Sequence, residues 1–273
     1  MKVAERPLTG KRIVITRSPE QSGVLTQELK GTGATVISLP FVEFRLPSDT
    51  SALDSALARL SEFDWVVFTS PNGVRFFCQR LREMGREPSE PPALLPLVAA
   101  IGVATASATT KEGLAVEFAL ADIRSGREFA QRFSSAAIHG KKILLPQSDL
   151  ADGHVAEAFK ESGAAVTEVV AYRTCMPESL DGHELEQVKR DGADVFVFAS
   201  PSAFRNFAKT VGPEELKRLA IGSAFAAIGP TTAEAIRGAG VQVKVEAAKP
   251  SSSEIVQAIV EYFAAKPSEA IRR

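Results

Sequence analysis

The stretch Asp64-Trp-Val-Val-Phe-Thr-Ser-Pro71 returns 130 residues later as Asp194-Val-Phe-Val-Phe-Ala-Ser-Pro201. Each copy is a run apolar at successive positions, closed by a Ser-Pro turn. Such a run suits a strand covered on both faces, the condition of a parallel sheet between helical layers. Working outward, Lys11-Arg-Ile-Val-Ile15 overlies Lys141-Lys-Ile-Leu-Leu145 at the same offset. Ala99-Ala-Ile-Gly102 overlies Ala226-Ala-Ile-Gly229, and Gly113 overlies Gly240, at an offset of 127 after a loop indel. The chain is a duplicated α/β unit.

Between the strands lie segments with apolar residues at helical spacing. The helix after Pro19 is expected to place Val24, Leu25 and Leu29 on one stripe and to end at Gly31 or Gly33. Ser251 with Glu254 is a capping-box signature for a last helix through Ile255, Ile259 and Phe263. Leu39-Pro-Phe-Val-Glu-Phe44 and Val169-Val-Ala-Tyr-Arg-Thr174 follow the second strand of each half and are the natural crossover points. Plain tandem duplication predicts domains at about 1–135 and 136–273, while exchange of the first βαβ unit between halves buries the same surfaces. Repeat arithmetic leaves both open.

A length of 273 residues fits two domains of ordinary size. The 32 basic and 33 acidic residues leave a net charge of -1, which argues against a broad phosphate-binding face and so against a nucleic-acid partner. Cys78 and Cys175 are far apart, without a disulfide or zinc pattern, which suits a reducing cytoplasm. No long apolar run or apolar leader points to a membrane, and a cytoplasmic protein is the expectation.

No metal site is expected, since His139, His154 and His183 stand apart, and no Gly-rich phosphate loop or GxSxG elbow follows a strand. Four strand ends run instead into small, polar turns that open helices: Thr69-Ser-Pro-Asn-Gly73, Ala199-Ser-Pro-Ser202, Gly102-Val-Ala-Thr105 and Gly229-Pro-Thr-Thr232. Such turns lie where ligands of parallel sheets bind, and amides at helix starts favour anions. Taken one turn at a time, helix capping by the same serines and threonines is the favoured reading. Four turns in duplicate point to a polyanion held by backbone amides.

Taken together, Ile13-Val-Ile-Thr-Arg-Ser-Pro19, Gly33-Ala-Thr-Val36 with Leu39-Pro40, Asp64-Trp-Val-Val-Phe-Thr-Ser-Pro-Asn-Gly-Val74, Val169-Val-Ala-Tyr-Arg-Thr174, Val197-Phe-Ala-Ser-Pro-Ser202 and Ala227-Ile-Gly-Pro-Thr-Thr-Ala233 resemble the uroporphyrinogen-III synthase family nearly end to end. The resemblance implies two similar doubly wound parallel-sheet α/β domains joined by a two-stranded ribbon. The first, discontinuous domain would comprise residues 1–40 and 176–273 and the second 41–175, with linkers near 40–46 and 169–177 and the active site in the interdomain cleft. It implies a cytoplasmic lyase, free of cofactor and metal, that closes hydroxymethylbilane into uroporphyrinogen III through a spiro intermediate.

Carried over by resemblance, Tyr172 is the tyrosine that helps the hydroxyl leave; its alternative is a ribbon tyrosine that only packs. The resemblance matches Ser70, Ser200 and Thr231 or Thr232 to substrate-facing turns, and the four turns add Asn72, Gly73, Gly102, Thr105, Ser202 and Gly229 as substrate-binding positions; Arg17 would bind a carboxylate or cap a neighbouring helix. Asn72 stands where some relatives have a basic residue, and Gln147 where many have arginine. Expected partners are the small-molecule substrate and, transiently, the preceding pathway enzyme, with a monomeric state and neither nucleic acid nor membrane. A two-lobed sensor that binds an anion without catalysis is the alternative.

Overall fold

The computed structural model describes residues 6–88, 96–120, 128, 129, 131–133, 138–178, 180 and 182–265. The chain divides into two compact units, Met1–Glu43 with Met176–Arg273, and Phe44–Cys175. Strands are numbered along the chain. The first unit holds β1 (Arg12–Ile15), β2 (Thr35–Ser38), β9 (Val195–Phe198), β10 (Ala224–Ala227) and β11 (Val243–Glu246), in the order β11-β10-β9-β1-β2. The second holds β3 (Glu43–Arg45), β4 (Trp65–Phe68), β5 (Leu97–Ile101), β6 (Phe118–Leu120), β7 (Lys142–Ser148) and β8 (Ala165–Cys175), in the order β3-β8-β7-β4-β5-β6. The ladders β1–β2, β1–β9, β9–β10 and β10–β11 are parallel, as are β7–β8, β4–β7, β4–β5 and β5–β6.

Under the repeat, β1 and β2 correspond to β7 and β8, and β9, β10 and β11 to β4, β5 and β6. Each sheet therefore joins the first βαβ unit of one copy to the last three strands of the other. The repeated aspartates show the exchange in single bonds. Asp194 Oδ2 accepts from the Arg12 amide and Oδ1 from Lys11 Nζ, while Asp64 Oδ2 accepts from the Lys142 amide and Oδ1 from Lys141 Nζ. Tandem domains at 1–135 and 136–273 are overturned by these pairings.

Alternate residues of each strand feed different cores, as a doubly wound sheet requires. Val14, Phe196, Phe198 and Phe225 pack with the helices Gly182–Asp191, Pro201–Val211, Pro213–Gly222 and Pro230–Gly238. Ile13, Ile15, Val195 and Val197 pack on the opposite face with Pro19–Gly31 and Ser252–Ala265. In the second unit, Val66, Phe68 and Leu144 face Ser51–Ala58 and Pro71–Glu83, and Val67, Ile143 and Leu145 face His154–Glu161 with Phe129 and Phe133.

One stripe differs from expectation: Leu25 and Leu29 are fully buried, but Val24 is 63% exposed. Val24 lies about 100° around the helix from Leu25 and faces solvent; Ser22 completes the buried stripe. The helix runs to Gly31, and the left-handed residue that closes it is Gly33. Gly33 takes φ +92°, its amide donates to Lys30 O, and the Ala34 amide reaches back to Leu29 O, a Schellman closure. Gly163 repeats it with φ +84° and an Ala164 amide to Phe159 O bond. The last helix, Ser252–Ala265, opens with the Glu254 amide donating to Ser251 Oγ. Among the described residues no helix is long and apolar enough to cross a membrane, and no cluster of His, Cys, Asp and Glu is arranged to hold a metal ion.

Candidate functional site

In each unit the connections leave the sheet in opposite directions on either side of one strand pair, β1 and β9 or β7 and β4. At such a switch point the loops beyond the strand ends diverge and leave a crevice, where ligands of doubly wound sheets bind. The turns singled out in the sequence follow those strands and their neighbours.

In the second unit, β4 runs into Ser70, whose extended backbone starts the helix Pro71–Glu83. Pro71 fits the first helical position because the amide it lacks would have no partner there. Ser70 Oγ accepts from the Gly73 amide at 3.0 Å and lies 3.0 Å from the Tyr172 hydroxyl. Tyr172 stands near the end of β8, 7% exposed. Its ring stacks on Phe76 at 5.7 Å between centroids with a 14° interplanar angle, and Phe44 meets it edge-on at 5.9 Å. The phenol is therefore fixed by two rings and one hydroxyl. A register shift between Gln147 and Ser148 opposes Ser148 to Tyr172, and Asp149 locks the place: its amide donates to Tyr172 O and its carboxylate accepts from the Thr174 amide. Bulges of this kind re-aim side chains beside active sites.

Gly73 is required by close approach: a Cβ there would sit 3.1 Å from Pro146 O and 3.4 Å from Ser70 Oγ. Asn72 is half-buried in the same turn. At the end of β5, Gly102 takes φ +82° and begins the helix Val103–Lys111 with no side chain capping it. Thr105 is buried there, its carbonyl accepting from Thr109 Oγ1.

In the first unit, Thr16 is fully buried and bridges β1 to β9 through its hydroxyl and amide, both donating to Val197 O. Arg17 follows, half-buried, and burial pushes its pKa below the ordinary arginine value. Among the described residues its hydrogen-bond partner is the neutral Oε1 of Gln21. A guanidinium does not surrender its proton in proteins, so the downward shift expresses a poorly solvated cation that an arriving anion stabilises. Ser18 beside it is 1% exposed, and among the described residues its Oγ has no hydrogen-bond partner. Ser200 repeats Ser70 by accepting from the Ala203 amide at 3.1 Å, and Ser202 is half-buried in that first turn. Gly229 begins Pro230–Gly238, again with no side-chain cap; Thr231 is exposed and Thr232 is buried.

The four turns are thus of two kinds. After β4 and β9 a serine caps one amide, at Gly73 and Ala203, as the capping reading of single turns expects. After β5 and β10 a glycine leaves the first-turn amides uncapped. The structure joins Tyr172, Ser70 and Gly73 in one hydrogen-bonded chain in the second unit; Arg17, Ser200, Ser202, Gly229, Thr231 and Thr232 belong to the first. Gln147 donates to Glu168 instead of extending past the strand end. Sequence reasoning passed over Phe76, Phe44 and Asp149. The signal for Phe76 was a break in the repeat, since the equivalent position is Asn206.

The family model described as uroporphyrinogen-III synthase HemD matches residues 23–257. The chain is 28% identical to the uroporphyrinogen-III synthase of Synechococcus elongatus over 265 residues, covering 95% of this chain and 98% of that protein. It is 28% identical to that of Chlorobaculum parvum over 237 residues, covering 86% and 92%. Among solved structures, a mutant uroporphyrinogen III synthase from the extremely thermophilic bacterium Thermus thermophilus superposes with a TM-score of 0.62 at 16% identity, covering 94% of this chain and 100% of that one. The uroporphyrinogen-III synthetase of Helicobacter pylori gives 0.61 at 17% identity, with 92% and 99% covered. At these identities the structural likeness concerns the fold, here two-domain α/β.

Proposed function

Because the chain belongs to the uroporphyrinogen-III synthase family, we propose that it acts as a cyclising hydro-lyase of tetrapyrrole biosynthesis, closing hydroxymethylbilane with inversion of ring D and loss of water. The observation that carries this reading is the placement of Tyr172: a phenol pinned by Phe76, Phe44 and Ser70 at the carboxyl end of a parallel sheet. The reaction begins when the terminal hydroxyl leaves a pyrrole-bound carbon. The electron-rich ring expels it, and the departing oxygen needs a proton to leave as water. A neutral phenol supplies one at physiological pH without a charged partner.

The resulting azafulvenium carbon is attacked by the substituted carbon of ring D, giving a spiro intermediate that fragments and recloses. The proton lost when the last pyrrole regains aromaticity returns to the phenolate, so Tyr172 ends as it began. Substrate carboxylates have two kinds of receptor available. Arg17 is a half-buried cation whose hydrogen-bond partner among the described residues is neutral, and the turns at Gly102–Thr105 and Gly229–Thr232 have no side-chain cap at their helix starts, the positive end of the helix dipole. Ser200 and Ser202 contribute at the Ser-Pro turn after β9.

The test uses freshly prepared hydroxymethylbilane, which closes unaided to the I isomer. Purified protein is expected to turn it over to uroporphyrinogen III. Formation of the I isomer alone, with the linear tetrapyrrole still bound, overturns the catalytic reading in favour of an anion-binding module.

A further inference from the structure

We propose that Ser70 is a positioning residue that acts through Tyr172, as the middle member of a directed hydrogen-bond chain running Gly73 N–H to Ser70 O–H to Tyr172 O–H and then outward. This rests on the assignment of Tyr172 as proton donor and adds to it a device that fixes which way the phenol's hydrogen points.

A serine hydroxyl has one hydrogen and two lone pairs. The Gly73 amide takes one lone pair at 3.0 Å, and among the described residues the only other partner of Ser70 Oγ is the Tyr172 oxygen at 3.0 Å. That second contact has two polarities. If the phenol donates to the serine, its hydrogen is spent inside the protein and cannot reach a leaving group. If the serine donates, the phenol's hydrogen has no acceptor among the described residues and is offered to whatever lies beyond the strand end.

Two features select the second polarity. An oxygen already accepting from an amide becomes a better donor through its own hydrogen, because bonds in a chain polarise one another in series. The chain also starts at the amino terminus of the thirteen-residue helix Pro71–Glu83, whose dipole favours negative charge on the far oxygen. As the proton leaves for the departing hydroxyl, Tyr172 becomes a phenolate that goes on accepting from Ser70, and the bond strengthens as charge develops.

The repeat supplies an internal control. Ser200 accepts from the Ala203 amide in the same way, but the position equivalent to Tyr172 is Val42 and that equivalent to Phe76 is Asn206, which donates to Phe41 O. The capped serine thus belongs to the fold, and its link to a phenol is an addition made in one unit only.

Two measurements test the chain. The first needs no turnover. The protein has two tyrosines, so Tyr262→Phe leaves Tyr172 as the sole phenol, and its ultraviolet resonance Raman doublet reports whether the oxygen accepts or only donates. The expected spectrum is that of an acceptor, lost in Ser70→Ala and retained in Ser70→Thr; a donor-only phenol overturns the proposal whether or not the protein is a synthase. The second is a double-mutant cycle on single-turnover cyclisation. Ser70→Ala is expected to slow the step roughly tenfold, about the worth of one hydrogen bond to a charged group, with product affinity nearly unchanged. Ser70→Thr recovers most of the rate, and Ser70→Ala in the Tyr172→Phe background slows it by less than about twofold, because neighbours acting through one another are not additive. Equal losses in both backgrounds would mean a helix cap and nothing more. A parent protein that forms no III isomer would remove the catalytic assignment while leaving the Raman result standing.

Discussion

The two units are built on the same plan yet treat the same turn differently. Ser70 and Ser200 both end a central strand, precede a proline and take an amide one turn on. Around Ser70 the neighbours are Tyr172 and Phe76, an aromatic stack with one hydroxyl; around the repeat's other copy the equivalent positions are Val42, 4% exposed, and Asn206, which serves a backbone carbonyl. At the ends of β1 and β7 the asymmetry runs the other way. Among the described residues Arg17 has a neutral hydrogen-bond partner and no counter-ion, whereas its equivalent Gln147 is tied to Glu168. Duplication supplied two frames on one plan, and side-chain substitution at the strand ends gave one a buried phenol and the other a half-buried guanidinium.

Removing the phenol breaks that contrast most severely. Tyr172→Phe keeps the ring stack and deletes only the hydroxyl, so the single-turnover rate is expected to fall about 10²-fold, the lower end of general-acid effects because the pyrrole expels its leaving group readily. Product affinity measured by quenching of Trp65, the single tryptophan, should change little. An unaltered rate would reduce Tyr172 to ribbon packing and make the two units equivalent in chemistry.

The frames themselves can be compared through their helix ends. Gly33→Ala and Gly163→Ala each place a side chain in the left-handed region, at a cost of roughly 1–2 kcal/mol before contacts are counted. At Gly33 the new Cβ would lie 2.7 Å from Thr9 Oγ1, 2.9 Å from Arg6 Cβ and 3.3 Å from a backbone nitrogen, while at Gly163 its three nearest neighbours would all be atoms of the His139 ring, the first at 2.5 Å. A ring can swing aside and backbone cannot, so Gly33→Ala should lower the unfolding midpoint further. Equal shifts would show that the left-handed conformation, and not the neighbours, sets the cost.

Much of this frame was legible in the sequence because it repeats: the strands, the Ser-Pro turns and the glycine closures all recur at fixed offsets, and two faint signals in register reinforce each other. What the repeat could not show is which copy pairs with which, since exchange and tandem packing bury the same apolar faces; the choice becomes visible only in bonds such as Asp194 to Arg12. Val24 was misplaced because one residue moves a side chain by about 100°, and an apolar residue at the margin of a stripe reads as part of it. The site was less legible than the frame. Tyr172 came from family resemblance, and its partners Phe76 and Asp149 went unseen because they reach it across strands and helices far apart in sequence. Whether the amides of the Ser-Pro turns were free or capped was likewise undetermined, since serine serves either arrangement.

Exchange of the paired strand-end residues sharpens the second asymmetry. Arg17→Gln should weaken binding of the product uroporphyrinogen III about tenfold, the order of one charge-assisted hydrogen bond, and the loss should shrink as salt is raised. Gln147→Arg should alter affinity by less than about twofold. Its guanidinium would meet Glu168, already 3.0 Å from the Gln147 amide and 2.7 Å from Lys160 Nζ, and would be neutralised before reaching a ligand. Equal and opposite changes would mean that position along the strand, and not local pairing, decides what these residues do.

The smallest expected effect lies at the opposite ends of the strands, where the repeated aspartates close each sheet. The Lys141 ammonium, hydrogen-bonded at 2.8 Å, and then the Lys142 amide hold the Asp64 carboxyl below the usual carboxylate range. A carboxyl depressed on folding contributes stability that is present above its unfolded pKa, about 3.9, and is lost as pH falls through the lower folded value. Asp64→Asn should therefore destabilise the second unit at pH 7 by about 0.2–1 kcal/mol, the range for an exposed pair, and progressively less as the pH drops below about 4. Trp65, the next residue, is the natural probe, and urea titrations at both ends of that window read the difference directly. Asp194→Asn removes the same pair of bonds in the first unit, but its contact to Lys11 is longer, at 3.2 Å, so its loss at neutral pH should be the smaller of the two. A loss at Asp64 that is independent of pH would assign the effect to strand geometry, with the Lys141 pair contributing nothing measurable.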